Sequence, residues 1–363
     1  MEKRPRKILV TVLALAALLS LAACGQSASG SDSGGKLRQV SLLISYQDGP
    51  VFYSFSVARR MGYFRKEGLD VKVIPTEGSS FVTQQIITGH ATYGMANGPA
   101  DIIAYSKDPS LRVPSCFQEK LIYEIGELRG GPIKNVSDLK GKTLGYTEVG
   151  SGEVPYADAV LHEVGLVPGQ DVKMIPIGDG TAQTMRALQT HQVDAYISES
   201  TEFDLMSLKG LHFSYIKLSQ YEDAPESCFV TTQAALQDPK TRKIFIGIAR
   251  AFTEGTVFGI ANPTAAAQIV CSDLPQTCLD KSTAETQVKD TVALATPYAP
   301  SVRPGGIDLK GWQEAEEVSR EAGEITKNVN VTGIVGTPLV KSVTSQILDF
   351  SPAAIQHAAL AYK

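Results

Sequence analysis

Apolar and β-branched runs alternate with helical patterns along the first hundred residues of the chain. The strand-like runs and the helical patterns that follow them come in turn at 40–45 and 51–61, 71–75 and 80–88, and 92–96 and 99–105. Strands separated by helices of this length are typical of βαβ units and a largely parallel sheet. The pattern therefore predicts an α/β fold class.

The same pattern occurs a second time about one hundred residues later. The run VKVIP at 71–75 matches VKMIP at 172–176, and helices of equal length follow the two runs, at 80–88 and 181–189. The five-residue match alone could arise by chance, but the equal spacing of the elements favours two units of one architecture. We therefore expect two similar lobes.

The last third of the sequence is predicted to be mainly helical. Apolar residues between 238 and 261 have amphipathic spacing, and Pro263 stands at the first position of a further helix that runs to 271. Three more helical patterns follow at 282–296, 311–325 and 338–350.

The N-terminal segment has the pattern of an export signal. Basic residues at 3, 4, 6 and 7 precede an apolar run at 8–23, which is short of the ~20 residues that span a bilayer as a helix. The run ends LAAC, which resembles the lipobox of bacterial lipoproteins, with cleavage before Cys24 and lipid attachment to it. The alternative is an ordinary signal peptide in which Cys24 is incidental. We expect a signal peptide at 1–23, and a lipidated Cys24 with a flexible Gly/Ser tether at 24–36.

Composition excludes several classes of protein. The 363 residues suit about two domains, the mean hydropathy of −0.03 is too low for a polytopic membrane protein, and the formal net charge is −4. Basic residues are scattered and the pI is near 5.8, so we expect no nucleic-acid partner.

After Cys24, four cysteines remain, which is the even number that disulfides require in an exported protein. Three pairings are possible, and proximity in sequence favours Cys271 with Cys278, which leaves Cys116 with Cys228. Buried free thiols are the alternative.

Motifs of reaction chemistry are absent from the sequence. It contains no G-x-S-x-G, no H-E-x-x-H, no phosphate-binding G-x-x-x-x-G-K-[ST] and no clustered Cys and His residues. We therefore predict a binding protein, with no catalytic residues, no cofactor and no metal.

Five segments carry a resemblance to a known family. They are ARRMGYFRKEGLDV at 58–71, GHATYGM at 89–95, IKNVSDLKGKTLG at 133–145, THQVDA at 190–195 and NPTAAAQIV at 262–270. In this order they resemble segments of the substrate-binding proteins of bacterial ABC importers for nitrate, sulfonates, taurine and thiamine-pyrimidine precursors, the NMT1/THI5-like family. The resemblance covers nearly the whole mature chain.

The resemblance implies a two-lobe, periplasmic-binding-protein-like fold of type II. Two mixed sheets flanked by helices would be joined by two hinge crossings, with lobe 1 at 37–120 plus 225–363 and lobe 2 at 121–224. The Cys116–Cys228 pair would tie the two crossing strands on the lobe 1 side. The implied partners are a small molecule in the cleft, an ABC permease with its ATPase, and the extracytoplasmic face of the cell membrane through the lipid on Cys24. We expect a monomer.

Candidate ligand contacts follow from the rule that open α/β sheets bind ligands outside the carboxyl ends of their strands. Cleft loops and one crossing strand supply Tyr46, Asp48, Phe52, Tyr53, Asn97, Gly98, Gln118, Thr147, Glu148, Gly150, Ser151, Gly152 and Glu199. The aromatic residues are equally suited to the core, Asn97 and Gly98 to a helix cap and turn, and the glycine-rich loop to a helix entry.

The predicted cleft loops contain acids but no Lys or Arg. Together with Asp48, Glu148 and Glu199, the acid Glu153 would make an acidic pocket rimmed by aromatic residues. Such a pocket suits a neutral or cationic, flat, nitrogen-containing nutrient such as a pyrimidine better than a sulfonate or nitrate, which need donors. Arg129 or Arg186 could alter this balance. A pyrimidine-precursor synthase is the enzymatic alternative.

Overall fold

The computed structural model describes residues 36–278, 281–295 and 302–362. Residues Leu37–Lys363 group into one compact unit. The predicted signal peptide, Cys24 and nearly all of the tether lie outside the described residues, as does Thr296 at the end of one predicted helix.

Ten strands form two five-stranded sheets. The first sheet contains β1 (Arg38–Ile44), β2 (Leu69–Pro75), β3 (Gly94–Ala96), β4 (Leu111–Gln118) and β10 (Glu226–Thr232). The second sheet contains β5 (Tyr123–Leu128), β6 (Thr143–Tyr146), β7 (Lys173–Pro176), β8 (Ala195–Glu199) and β9 (Phe213–Lys217).

Fifteen helices are present in the described residues, and several begin at a proline or a capping side chain. The seven helices before β10 are α1 (Tyr53–Arg60), α2 (Tyr63–Lys66), α3 (Ser79–Ile87), α4 (Gly98–Lys107), α5 (Val154–Glu163), α6 (Ala182–Gln189) and α7 (Ser200–Leu208). The eight after β10 are α8 (Gln233–Gln237), α9 (Pro239–Ala261), α10 (Pro263–Asp273), α11 (Lys281–Leu294), α12 (Leu309–Glu321), α13 (Thr332–Val335), α14 (Pro338–Ile347) and α15 (Pro352–Ala361).

The two sheets have equivalent strand orders, β2-β1-β3-β10-β4 and β7-β6-β8-β5-β9. In each sheet three strands are parallel, and the fourth strand in this order is antiparallel to both of its neighbours. The predicted α/β fold with two lobes and mixed sheets is therefore confirmed. The expectation of a largely parallel sheet is too simple, because the strand that enters from the other lobe runs antiparallel to both neighbours.

The chain passes between the sheets twice, from β4 to β5 and from β9 to β10. The first sheet and its helices are called lobe 1 below, and the second sheet and its helices lobe 2. The exact limits predicted at 120/121 and 224/225 stay a prediction, since strand membership does not fix them.

Both favoured disulfides are present, Cys116–Cys228 and Cys271–Cys278. Cys116 of β4 lies directly opposite Cys228 of β10 in the antiparallel pair. This disulfide therefore joins the two strands from which the chain leaves and re-enters lobe 1.

Helix α9 organises the core of lobe 1. The ring of Phe252 lies 4.5 Å from that of Phe55, 4.9 Å from that of Phe117 and 5.2 Å from that of Phe229, measured between centroids. Among the described residues, α9 is the one helix long and apolar enough to cross a membrane, and most of it is buried in this core.

Helix α12 packs against both lobes. Trp312 and Ala315 lie in a core cluster with residues of α4 and the first sheet, whereas Val318 and Ala322 lie in the core cluster of lobe 2. The segment predicted for lobe 1 thus reaches across the junction between the lobes.

Candidate functional site

A cavity of about 380 Å³ lies between the carboxyl ends of the strands of the two lobes. The turns after β1 and β2 supply its wall on one side, and the turns after β6, β7 and β8 supply the wall on the other. This is the position at which open α/β sheets bind ligands.

Hydrogen bonds join the two lobes around this cavity. Tyr46 Oη donates to Glu202 Oε1 at 2.9 Å, and the backbone N–H of Ser80 donates to the carbonyl of Gly150 at 3.2 Å. A Cβ added at Gly78 would lie 2.5 Å from that same carbonyl oxygen, so the two backbones touch where glycine leaves room. The lobes are therefore in contact along one edge of the cleft.

Six carboxylic acids line the cavity, with no Lys, Arg or His among the lining residues. The acids are Glu77, Glu148, Glu153, Asp179, Glu199 and Glu202. Neither Arg129 nor Arg186 reaches this wall. The predicted acidic character is therefore present in the described lining.

Glu202 is held by three hydroxyl groups. Besides Tyr46 Oη, both Tyr196 Oη and Ser198 Oγ lie 2.8 Å from its Oε2 and can donate to it. Burial raises the pKa of Glu202 to about 8, and the nearby charge of Glu199 adds to the rise.

Glu199 has far fewer donors. Within the described residues, its carboxylate accepts one side-chain hydrogen bond, from Thr201 Oγ1 at 3.3 Å. Burial raises the pKa of Glu199 to about 7, and the charges of Glu153 and Asp179 raise it further. A carboxylate has roughly four acceptor positions, so Glu199 retains capacity for donors from a ligand.

Glu153 supports the loop that leads into α5. Its Oε1 accepts hydrogen bonds from the backbone N–H of Thr147, at 2.8 Å, and from the Thr147 hydroxyl. Burial raises the pKa of Glu153, although the bonds from Thr147 oppose this rise. Its role in the cavity wall is to fix the Thr147 turn.

Six of the predicted contacts lie at the cavity: Tyr46, Thr147, Glu148, Ser151, Gly152 and Glu199. Tyr46 belongs to lobe 1 and the other five belong to lobe 2, so both lobes contribute to the cavity wall. Contact with a ligand stays a prediction for each of them.

The structure places Phe52 and Tyr53 in the core of lobe 1, where both are almost fully buried. The ring of Phe117 lies 6.3 Å from that of Phe52, and Tyr53 Oη donates to the carbonyl of Thr256 at 3.2 Å. Their proline-led turn directs them beneath the cleft, so they do not line it.

Asp48 points away from the cavity toward a basic side chain. Its Oδ2 lies 3.1 Å from Arg59 Nη2, which also pairs with Asp273 at 2.6 Å. The acid predicted for the pocket therefore belongs to an ion-pair group on lobe 1.

Four further predicted residues support the cleft without lining the cavity. Asn97 caps α4 and its Nδ2 donates across the lobes to the carbonyl of Gly152 at 3.0 Å. Gly98 packs against Pro225, and Gly150 meets the N-terminus of α3. Gln118 Oε1 accepts a 2.7 Å hydrogen bond from Ser227 Oγ at the crossing strands.

Sequence reasoning missed several lining residues: Glu77, Tyr123, Asp179, Ser198 and Glu202. Ser198 directly precedes the selected Glu199 but was not itself selected. Glu199 is the N-cap residue of α7 and Glu202 is in the first turn of that helix, so a helix start placed at Ser200 would have indicated that the two acids lie at the same helix end. Tyr123 begins a strand at the crossing, and no local signal marks it.

Metal-binding geometry is absent from the described part of the chain, where no group of three His, Cys, Asp or Glu side chains could hold an ion. The cavity wall contains neither His nor Cys. The polar groups of the described lining are carboxylates, hydroxyls, the side-chain amide of Gln47 and backbone groups.

Comparisons with known proteins identify a family model and several relatives of this chain. A family model described as NMT1/THI5 like matches residues 49–266. A thiamine biosynthesis protein of Haemophilus influenzae is 25% identical over 297 residues, covering 80% of this chain and 88% of that protein. The formylaminopyrimidine-binding protein of Halalkalibacterium halodurans is 22% identical over 305 residues, covering 83% and 89%.

An enzyme is also among the relatives. The 4-amino-5-hydroxymethyl-2-methylpyrimidine phosphate synthase of Legionella pneumophila is 22% identical over 246 residues, covering 66% of this chain and 74% of that protein. Among solved structures, the periplasmic aliphatic sulphonate binding protein SsuA of Escherichia coli has a TM-score of 0.59 at 16% identity, covering 81% and 91%. This last likeness shows the shared fold.

Proposed function

Because the chain belongs to the NMT1/THI5-like family, we propose that it is an extracytoplasmic solute-binding lipoprotein that delivers a small molecule to an ABC permease and its ATPase. The observation that carries the proposal is the cavity of about 380 Å³ enclosed between the lobes at the carboxyl ends of their strands. Lipid on Cys24 would hold the chain at the outer face of the cell membrane.

The proposed solute is a nitrogen-containing or heteroaromatic nutrient such as a pyrimidine. Tyr46 and Tyr123 supply aromatic surface at the cavity, and the carboxylates supply acceptors for N–H groups. A relative named for binding a formylaminopyrimidine is consistent with this choice.

Two alternatives have specific support. Sulfonate or nitrate binding is favoured by the fold likeness to a sulphonate-binding protein, but the cavity wall offers acids where an anion needs donors. A synthase activity is favoured by the Legionella relative, but the described residues of the cavity wall include no His or Cys, which acid–base or nucleophilic chemistry commonly uses.

Thermal-shift screening of the full chain in detergent tests the proposal. The panel contains pyrimidines, flavins, polyamines, sulfonates and nitrate, and a solute at 100 times its Kd should add about 2.7 kcal/mol to the free energy of unfolding. We expect stabilisation by one or more of the pyrimidines, flavins or polyamines. Mass spectrometry should recover that solute chemically unchanged. Stabilisation by sulfonates alone would favour the first alternative, and a converted solute would favour the second.

A further inference from the structure

The acids of the cavity wall have no basic partner within that wall. Lys, Arg and His are absent from the described lining, and Arg59, which lies near the first cleft loop, is held by Asp48 and Asp273 outside the cavity. A ligand that enters therefore meets carboxylates, hydroxyls, the side-chain amide of Gln47 and backbone groups, with no side-chain cation in the described lining to balance an anionic solute.

Two of these acids differ from Glu202 in how few donors they have. Glu199 accepts one long hydrogen bond, from Thr201, while the pKa of Glu148 is raised by burial and by the charges of Asp179 and Glu77 without any opposing hydrogen bond. Both residues line the cavity, so the spare acceptor positions of their carboxylates are available to a solute there.

A buried hydroxyl of the cavity wall is also incompletely bonded. Ser151 lines the cavity and is only 6% exposed, and its side chain acts on the Glu153 carboxyl, whose pKa it lowers, but its Oγ makes no hydrogen bond of ordinary geometry in the described residues. Buried polar atoms normally have well-formed partners, so this hydroxyl has capacity to bond a solute in the cavity.

We infer that the cleft binds a flat organic cation, an aromatic ring bearing an amidinium or a protonated amine, with Glu199 as its counter-ion and the rings of Tyr46 and Tyr123 against its ring. The inference rests on the proposed function and narrows its solute to one charge class. Charge-assisted N–H to carboxylate bonds and cation–π contacts are the interactions this wall provides.

Electrostatics at Glu199 agree with a cationic ligand. The groups that face it are acids and phenols from every neighbouring segment: Tyr46, Tyr123, Glu148, Glu153, Asp179, Glu202 and Glu226. None of them is a base, and burial penalises the ionised carboxyl first of all. A bound cation favours the ionised carboxylate and so offsets the cost of burying its charge, whereas an anion adds to that cost.

Three probes of one shape test the charge class. Benzamidine, benzamide and benzoate place a positive, a neutral and a negative group on the same ring, and each is titrated calorimetrically into the full chain at pH 8. We expect benzamidine to bind at least tenfold more tightly than benzamide, and benzoate not to bind. Glu199→Gln should weaken benzamidine at least tenfold and leave benzamide unchanged, while exposed Glu317→Gln changes neither.

The outcomes separate the two proposals. Equal or tighter binding of benzamide or benzoate, or an unchanged affinity of Glu199→Gln for benzamidine, overturns the cation inference and leaves solute binding in place. If none of the three probes binds, the solute found in the thermal-shift panel decides: a cation that needs Glu199 supports the inference, and a neutral or anionic solute overturns it. A chain that no solute stabilises overturns the proposed function as well.

Discussion

Glu199, the N-cap residue of α7, and Glu202, in the first turn of that helix, differ in the number of hydrogen bonds that their carboxyl groups accept. Glu202 has three hydroxyl groups within bonding distance and thereby fixes Tyr46 across the cleft, whereas Glu199 accepts one long bond. Glu202 therefore suits the support of the wall, and Glu199 suits direct contact with a solute.

At this scale the sequence predicted Glu199 but missed Glu202. The rule selects only the loop that follows each strand, and after β8 that loop stops where α7 begins. Glu202 lies in the first turn of α7 and was therefore not selected. Asp48 was selected by the same rule, but Arg59 draws its side chain away, and the sequence alone cannot show a pairing between side chains eleven positions apart.

The raised pKa values of Glu199 and Glu202 predict that the ligand-free protein loses stability as pH rises. Their pKa values in the folded chain are about 7 and about 8, above the ordinary value of 4.5. Between pH ~4.5 and these raised pKa values, the folded state therefore binds more protons than the unfolded state. The contribution of the two protonated carboxyls to stability is full below pH ~4.5 and is lost as the pH rises through 7–8.

Chemical unfolding at pH 5.5 and pH 8.5 measures this effect. The Glu199→Gln, Glu202→Gln double variant should remove part of the fall in the free energy of unfolding, up to about 5 kcal/mol, since each pKa unit corresponds to about 1.4 kcal/mol. Exposed Glu317→Gln serves as the control. An identical pH dependence in the double variant and the wild type would show that these carboxyls do not carry the effect.

Among the elements, long amphipathic helices and the repeated βα units were predicted from the sequence. The helix at 238–261 is α9 (Pro239–Ala261) within one residue, and the matched runs at 71–75 and 172–176 are the equivalent strands β2 and β7. The resemblance implied two crossing strands but the sequence pattern did not give their bounds, since a strand such as β4 that is buried along its whole length has no alternating pattern. Helix α15 was not predicted.

Because α1 packs closely on α9, we predict that replacing a glycine of α9 by alanine lowers the free energy of unfolding. A Cβ added at Gly255 would lie 2.4 Å from the carbonyl oxygen of Ser54. Gly255→Ala should therefore reduce the free energy of unfolding by about 1–3 kcal/mol through overpacking. Urea denaturation checks this, and a gain in stability, as alanine gives in an open helix, would contradict the close contact.

The two disulfides should differ in their contribution to stability. Cys116–Cys228 closes a sequence separation of 112 residues and Cys271–Cys278 one of 7. The chain-entropy relation gives about 4.8 and about 2.5 kcal/mol for loops of these sizes. We expect the Cys116→Ala, Cys228→Ala variant to lose more stability in urea denaturation than Cys271→Ala, Cys278→Ala, and the reverse order would show that local packing outweighs loop length.

On the scale of the whole molecule, the cleft is assembled from segments that are remote in sequence. Tyr46 and Glu202 are 156 positions apart, and their hydrogen bond joins the lobes. The repeat predicted two lobes, but which side chains meet depends on how the crossings set one lobe against the other. For this reason the acidic character of the wall was predictable and its membership was only partly so.

The attachment of the molecule to the membrane is predicted to depend on one atom, the sulfur of Cys24. In cells expressing the full chain, Cys24→Ala should move the protein from the membrane fraction to the soluble or secreted fraction, since a protein without acyl chains loses its anchor. Fractionation with immunodetection measures this, with Cys271→Ala, Cys278→Ala as the control. A Cys24→Ala chain that stays in the membrane would contradict lipid anchoring.

The central claim, reversible capture of one small molecule between the lobes, is tested most directly by native mass spectrometry of the full chain after incubation with a solute extract. We predict one non-covalently bound molecule per chain, released unchanged on denaturation and strongly reduced in occupancy by Glu199→Gln. A bare chain mass or a covalent adduct would contradict reversible capture, whereas equal occupancy in Glu199→Gln would overturn only the role assigned to Glu199.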